Sequence, residues 1–205
     1  MRRMVLQLCC LLAIFRANAQ QMDIELLRRI NLDRSRSLDR PMELISESEY
    51  VVGVGMPVSV CLAAWLKRDS RLLEKGVNMS LAMVLNTAQT WALKRVVNRP
   101  RPSVTYPEIQ AFESSVNHSF PSGHTSNAFV AATSLSLHCR KWYVVVPAYA
   151  WAGAVGYSRM HLGVHYPTDV VAGALLGAGS AMVTYHANRW LKRRIMHQYA
   201  PEGGI

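Results

Sequence analysis

Five stretches without a charged residue dominate this 205-residue chain: 50–66, 76–93, 125–139, 142–158 and 170–188. As helices they would be roughly 22–28 Å long. That is short for a bilayer core of roughly 30 Å, but sufficient where loops close one end. Ser, Thr, Asn, Gly and Ala recur inside the runs, which suits close packing of one helix on another. The runs predict an all-α protein, a compact transmembrane helical bundle of about five spans. A soluble helical protein is the alternative, because mean hydropathy over the chain is only +0.06. At this length the bundle is one domain.

The connections carry the charge. Arg2 and Arg3 precede an apolar stretch, 4–15, too short to span, and Ala17-Asn18-Ala19 fits a small-x-small cleavage pattern. Residues 1–19 therefore read as a secretory signal cleaved after Ala19, with an uncleaved anchor as the alternative. Residues 20–48 are polar and charged, with Leu26, Leu27, Ile30 and Leu32 at loosely helical spacing. They read as an amphipathic exported segment on or near the membrane surface, broken at Asp39-Arg40-Pro41 because proline cannot continue a helix interior. The bundle domain is expected over 49–195 and a cytoplasmic tail over 196–205. With residue 20 outside, 67–75, Arg140-Lys141 and the tail fall inside, while 94–124 and 158–169 fall outside. Lys67, Arg68, Arg71, Lys75, Arg189, Lys192, Arg193 and Arg194 then obey the positive-inside rule.

Removing 1–19 takes Arg2, Arg3 and Arg16 from the 23 basic residues and leaves 20 against 13 acids, a net +7. Such charge invites a nucleic-acid reading. An exported chain with apolar runs excludes it and points to inward-facing loops and an anionic substrate. Cys61 and Cys139 lie in or beside apolar runs with no C-x-x-C spacing, so two buried, unpaired thiols are expected.

Three short blocks lie in the exported loops and at their edges. They are Lys94 with Arg101-Pro102, then Pro121-Ser122-Gly123-His124, then Ser158-Arg159 with His165 and Asp169. Together they supply three cations, two histidines and a carboxylate. That inventory suits binding a phosphate, attacking it with one imidazole and protonating the leaving group with the other. If a helix begins near Tyr166-Pro167, Asp169 can accept a hydrogen bond from one His165 nitrogen and leave the other free to attack. Taken alone, a loop histidine capped by a nearby Asp would serve as well. Gly123 permits close backbone approach at a helix N-terminus, which favours an anion. Ser122 can donate its hydroxyl, or it can simply cap the helix. Lys94, Arg101 and Arg159 match phosphate oxygens and developing negative charge. His124 is placed to act as general acid and then base.

Written as patterns, K-x₆-R-P, P-S-G-H and S-R-x₅-H-x₃-D resemble the signature of the type 2 phosphatidic acid phosphatase superfamily. Every signature position is matched over residues 94–169. The surrounding helical pattern extends the likeness to about 40–190, and residues 1–40 carry none of it. The resemblance implies that His165 is the nucleophile and forms a phosphohistidine. It also implies a membrane phosphatase of a lipid or prenyl phosphate, of the lipid A, undecaprenyl diphosphate, phosphatidylglycerol phosphate or phosphatidic acid type. The expected place is a bacterial inner membrane, multi-pass, with the site facing the periplasm or exterior. A soluble periplasmic acid phosphatase of broad specificity, a vanadium-dependent haloperoxidase and a non-enzymatic membrane component that retains an anion pocket are the alternatives.

The cation cluster can replace a metal, so no cofactor is expected. His161 and His165 are four apart, but Leu162 follows His161 where H-E-x-x-H zinc chemistry needs Glu. His161 and His118 are left unassigned near the pocket. Arg95 and Arg99 carry no signature role and read as membrane-interface anchors. Trp91, Tyr106, Phe112 and Phe120 flank the blocks, either at the interface to guide an acyl or prenyl chain or in the core.

Overall fold

A computed structural model describes residues 20–112 and 118–199, with the side chains of 196–199 excepted. The expected signal, 1–19, lies outside the described residues, as does most of the expected tail. Among the described residues seven α-helices follow one another: α1 (20–32), α2 (Asp39–Lys67), α3 (Ser70–Val97), α4 (Pro102–Thr105), α5 (Gly123–His138), α6 (Trp142–His161) and α7 (Pro167–Tyr199). No strand occurs among the described residues. Each uncharged run lies in its own long helix, α2, α3, α5, α6 or α7, and polar residues extend α2, α3 and α7 well beyond their runs.

Turn chemistry reverses the chain between α2 and α3. Arg68 takes a left-handed conformation, and the Asp69 carboxylate accepts from the Arg71 and Leu72 amides at 2.9 and 3.1 Å, a standard N-cap. Asn98, also left-handed at φ 50°, ends α3 and turns the chain toward Arg99–Arg101.

Helix α5 is the centre of the bundle and packs on α2, α3, α6 and α7. Its inward residues are small or β-branched: Ala128, Val130, Ala131, Ala132, Thr133 and Ser134 are buried. The most extensive pairing is α5 on α7. There Gly173 and Gly177, four apart on α7, let backbones meet. A Cβ at Gly173 would lie 2.6 Å from the Ser122 carbonyl oxygen, and one at Gly177 would collide with that of Ser126. The outer faces are apolar: Trp65 is 73 % exposed and Leu175 70 %, with Val54, Val84, Val146 and Val183 also exposed. Apolar surface of this extent suits lipid rather than water. Two helical stretches, Arg36–Lys67 and Pro167–Ile195, are long and apolar enough to cross a membrane by length and composition alone.

Ile24 and Leu27 of α1 are buried against Ile109 and Tyr166, so one face of this helix covers protein loops. Helical spacing reveals an apolar face but not what covers it. There is no break at 48/49, because α2 runs unbroken from Asp39. Pro41 sits in its first turn, where no intrahelical amide is needed. Cys61 and Cys139 are unpaired but only half-buried.

Replacing Gly177 with Val should force α5 and α7 apart and cost about 1–3 kcal/mol. It would be read as a lower thermal unfolding midpoint in detergent, while Gly179→Val, where a Cβ meets open space, should leave that midpoint nearly unchanged.

Candidate active site

The N-termini of α2, α5 and α7 and the C-termini of α3 and α6 meet at one end of the bundle, beside α1 and α4. Lys94, Arg101, Ser122, Gly123, His124, Arg159, His165 and Asp169 are brought together there. Backbone hydrogen bonds stitch the three blocks: Ser119 N to Arg99 O at 2.8 Å, Ser122 N to Asp169 O at 3.0 Å and Phe112 N to Leu162 O at 3.0 Å. The Arg101 guanidinium adds a bond to Val164 O at 3.1 Å. Gly163 makes this closure possible. Its φ is +70°, and a Cβ there would lie 2.7 Å from Gln110 O and 2.8 Å from Asn31 Nδ2.

Asp169 is wholly buried and lies in the first turn of α7. Its Oδ1 accepts from Arg99 Nη1 at 2.7 Å, and its Oδ2 accepts from the Tyr166 amide at 3.0 Å and from the Ser119 hydroxyl. His165 Nδ1 stands 3.5 Å from both Asp169 Oδ2 and Ser119 Oγ, at the long edge of hydrogen bonding. Such contacts commonly tighten when substrate binds. His165 sits in the short loop before α7, 2 % exposed. Burial pulls its imidazole down from an ordinary 6.5 to about 4, against the opposing pull of Asp169 and with Arg159 and Arg101 adding to the depression. The ring is therefore neutral near pH 7, the form in which one nitrogen keeps a free lone pair.

His124 opens α5 with its ring edge-on to Tyr50, centroids 5.1 Å apart. It is within electrostatic reach of Arg159, His165, Arg101 and Lys94. Arg159 is buried, with Nη1 bonded to Ser46 Oγ at 2.6 Å. Lys94 Nζ donates to the His118 carbonyl at 2.6 Å. The Ser122 side chain is the N-cap of α5. Its hydroxyl lies 2.8 Å from Thr125 Oγ1 and 3.5 Å from the Thr125 amide. Capping, one of its two expected roles, is thus the one visible in the geometry.

Several site residues escaped the sequence reading. Arg99, read as an interface anchor, instead clamps Asp169. Asp23, Ser119 and Ser46 bond to Arg99, Asp169 and Arg159 respectively. Glu49 is buried within electrostatic reach of Arg159 and bonded to Asn127. The signals were faint: a second Arg-Pro beside Arg101-Pro102, and acids on apolar helix faces. His161 is buried with Nε2 2.9 Å from Asp39 Oδ1, a structural contact. Among the described residues no group of three His, Cys, Asp or Glu is arranged to hold a metal. Of the flanking aromatics, Tyr106 packs on the α1 cluster. Trp91 is exposed with the Arg95 guanidinium 4.0 Å from its ring centroid.

The sequence profile of the PAP2 superfamily matches residues 75–193, which hold all three blocks. The chain belongs to the PAP2 superfamily. It is 30% identical over 159 residues to an undecaprenyl-diphosphatase of Sulfolobus acidocaldarius, covering 76% of this chain and 73% of that one. Its fold is similar to that of Aquifex aeolicus LpxE, with TM-score 0.69, 30% identity and coverage of 80% and 95%. It is also similar to the transmembrane PAP2 type phosphatidylglycerolphosphate phosphatase of Bacillus subtilis, with TM-score 0.72, 26% identity and coverage of 86% and 89%.

The buried imidazole has a measurable signature. The unfolded chain takes up its proton near 6.5 and the folded chain only near 4. The unfolded state therefore binds more protons between those values, and stability rises with pH across that window and is lost as pH falls through it. Imidazole nitrogen spectra of the labelled protein should titrate His165 well below 6.5, and His165→Gln should flatten this part of the stability profile.

Proposed function

We propose that this PAP2 protein is a metal-independent membrane phosphatase that hydrolyses a lipid or prenyl phosphate through a phosphohistidine intermediate. The observation that carries the reading is the meeting of His165 and Asp169 with Lys94, Arg101 and Arg159 at one end of an apolar-faced bundle. Asp169 accepts a hydrogen bond from the Nδ1–H of His165 and leaves Nε2 free to attack phosphorus. An N–P bond forms as the P–O bond to the lipid breaks, and His124 gives its proton to the departing oxygen. Water then attacks the phosphohistidine with His124 as base, freeing phosphate and the His165 nitrogen. Arg101, Arg159 and Lys94 offset charge on the phosphoryl oxygens. Ser122 holds the first turn of α5 so that Gly123 can approach the phosphate closely.

The five long helices are read as five spans, with the site at the exported face of a bacterial inner membrane. What supports this is that the opposite end carries Lys67, Arg68, Arg71, Arg140, Lys141 and Lys192, the distribution that the positive-inside rule gives to a cytoplasmic face. The exposed apolar belts of α2, α3, α6 and α7 disfavour a soluble periplasmic form. The relatives' names make undecaprenyl diphosphate and phosphatidylglycerol phosphate the first substrates to try, with lipid A and phosphatidic acid beside them.

Phosphate release from these four, in detergent with excess chelator, tests the reading. The native chain should release phosphate from at least one, and His165→Ala should lower the rate about 10³-fold or more. Acid quenching with labelled substrate should trap an acid-labile protein phosphate in the native chain alone. Release that needs added metal, or that survives His165→Ala, would overturn the mechanism.

A further inference from the structure

Asp23 lies on α1, outside the residues the family profile covers, and yet it reaches the heart of the site. Its Oδ1 accepts from the Thr168 amide at 2.8 Å, and its Oδ2 accepts from the Thr168 hydroxyl and from Arg99 Nη2, both at 2.6 Å. Arg99 spends its other nitrogen on Asp169 Oδ1 and lies with its guanidinium 3.7 Å from the Tyr166 ring centroid. The side chains of Asp23, Arg99 and Asp169 are 2 %, 22 % and 0 % exposed. The result is a carboxylate–guanidinium–carboxylate chain that ends at His165.

We propose that Asp23 is a positioning residue of the phosphatase centre: through Arg99 it fixes Asp169 and keeps that carboxylate negative toward His165. The inference rests on the reading of His165 as nucleophile. Its physical basis is charge sharing. An Arg99 paired with Asp169 alone would cancel its charge. With Asp23 attached, the three groups sum to −1, and the excess favours positive charge on His165 as its nitrogen bonds to phosphorus. The other charged and titratable groups facing the pair are Lys94 from α3, Arg101 from the loop after it, His124 from α5, Arg159 from α6 and Tyr166 beside Arg99. Lys94, Arg101 and Arg159 are cationic, so the carboxylates are the counterweight. A purely structural Asp23, capping α7 through Thr168 and docking α1, would act on stability alone.

Kinetics separate the two roles. Full-length Asp23→Asn, Asp23→Glu, Arg99→Gln and the Asp23→Asn/Arg99→Gln pair are compared with the native chain in detergent. The substrate is the lipid phosphate that the native chain turns over best, and unfolding midpoints are recorded alongside. Asp23→Asn should lower kcat about 10-fold or more with KM little changed. Losing a negative charge disfavours protonated His165, so the acid limb of kcat/KM should move to lower pH by about half a unit. Asp23→Glu should recover much of the rate, and the double variant should be no slower than Arg99→Gln. Arg99→Lys, which keeps the charge but cannot fork to two carboxylates, is the second variant and should lose kcat in the same way. Native kcat and a native pH profile in Asp23→Asn, or native kcat in Arg99→Lys, would overturn the proposal while leaving the phosphatase reading intact. A native chain that releases no phosphate would overturn that reading instead.

Discussion

A single buried charge organises the site end of this molecule. Asp169 is removed from water completely, and an uncompensated carboxylate in that position would cost several kcal/mol. Its compensation comes from separate segments: the guanidinium of Arg99 after α3, the hydroxyl of Ser119 before α5, and the Tyr166 amide and His165 ring in the loop before α7. Its own backbone carbonyl also accepts from Ser122, the residue that caps α5. Loops that are far apart in the chain are thus held in one place by the need to satisfy one side chain.

The bundle below that site works by the opposite chemistry. Helix α5 is short, made of small inward residues, and surrounded by four longer helices. Gly173 and Gly177 allow α7 to approach it at backbone distance. The large apolar residues point outward instead, at Trp65, Val84, Val146 and Leu175. Placing the bulk outside and small residues between helices is the arrangement expected when lipid, not water, is the surrounding solvent. A rigid interior of this kind keeps the ends of five helices in register, and that register sets the positions of Lys94, His124, Arg159 and Asp169.

The N-terminal segment joins these two themes. Asn31 donates to the carbonyls of Gln110 and His161 and accepts from the Gln110 amide, tying the loop after α4 to the end of α6. Asp39 receives Arg34 and His161. These residues read only as the polar side of an amphipathic segment, because a sequence records their polarity and not their partners. The same limit hid Arg99. Two Arg-Pro pairs stand side by side; the K-x₆-R-P spacing picks out Arg101, and nothing local tells that Arg99 holds a buried carboxylate. Ser119 and Ser46 were still less visible, since a serine outside a motif carries no directional signal at all.

What the sequence determined by itself was the all-helical class, the positions of five long helices, the three blocks and the family they belong to. Uncharged run length, small-residue content and motif spacing are local properties, so they survive the loss of three dimensions. Tertiary structure alone decided that α1 covers the loops at the site, that α2 continues through residue 48, and that Asp23 and Asp169 share Arg99. Those outcomes depend on which buried charges find each other across separations of 70 and 76 residues. Pairing at that range is settled by desolvation and geometry in the folded chain, which no local pattern encodes.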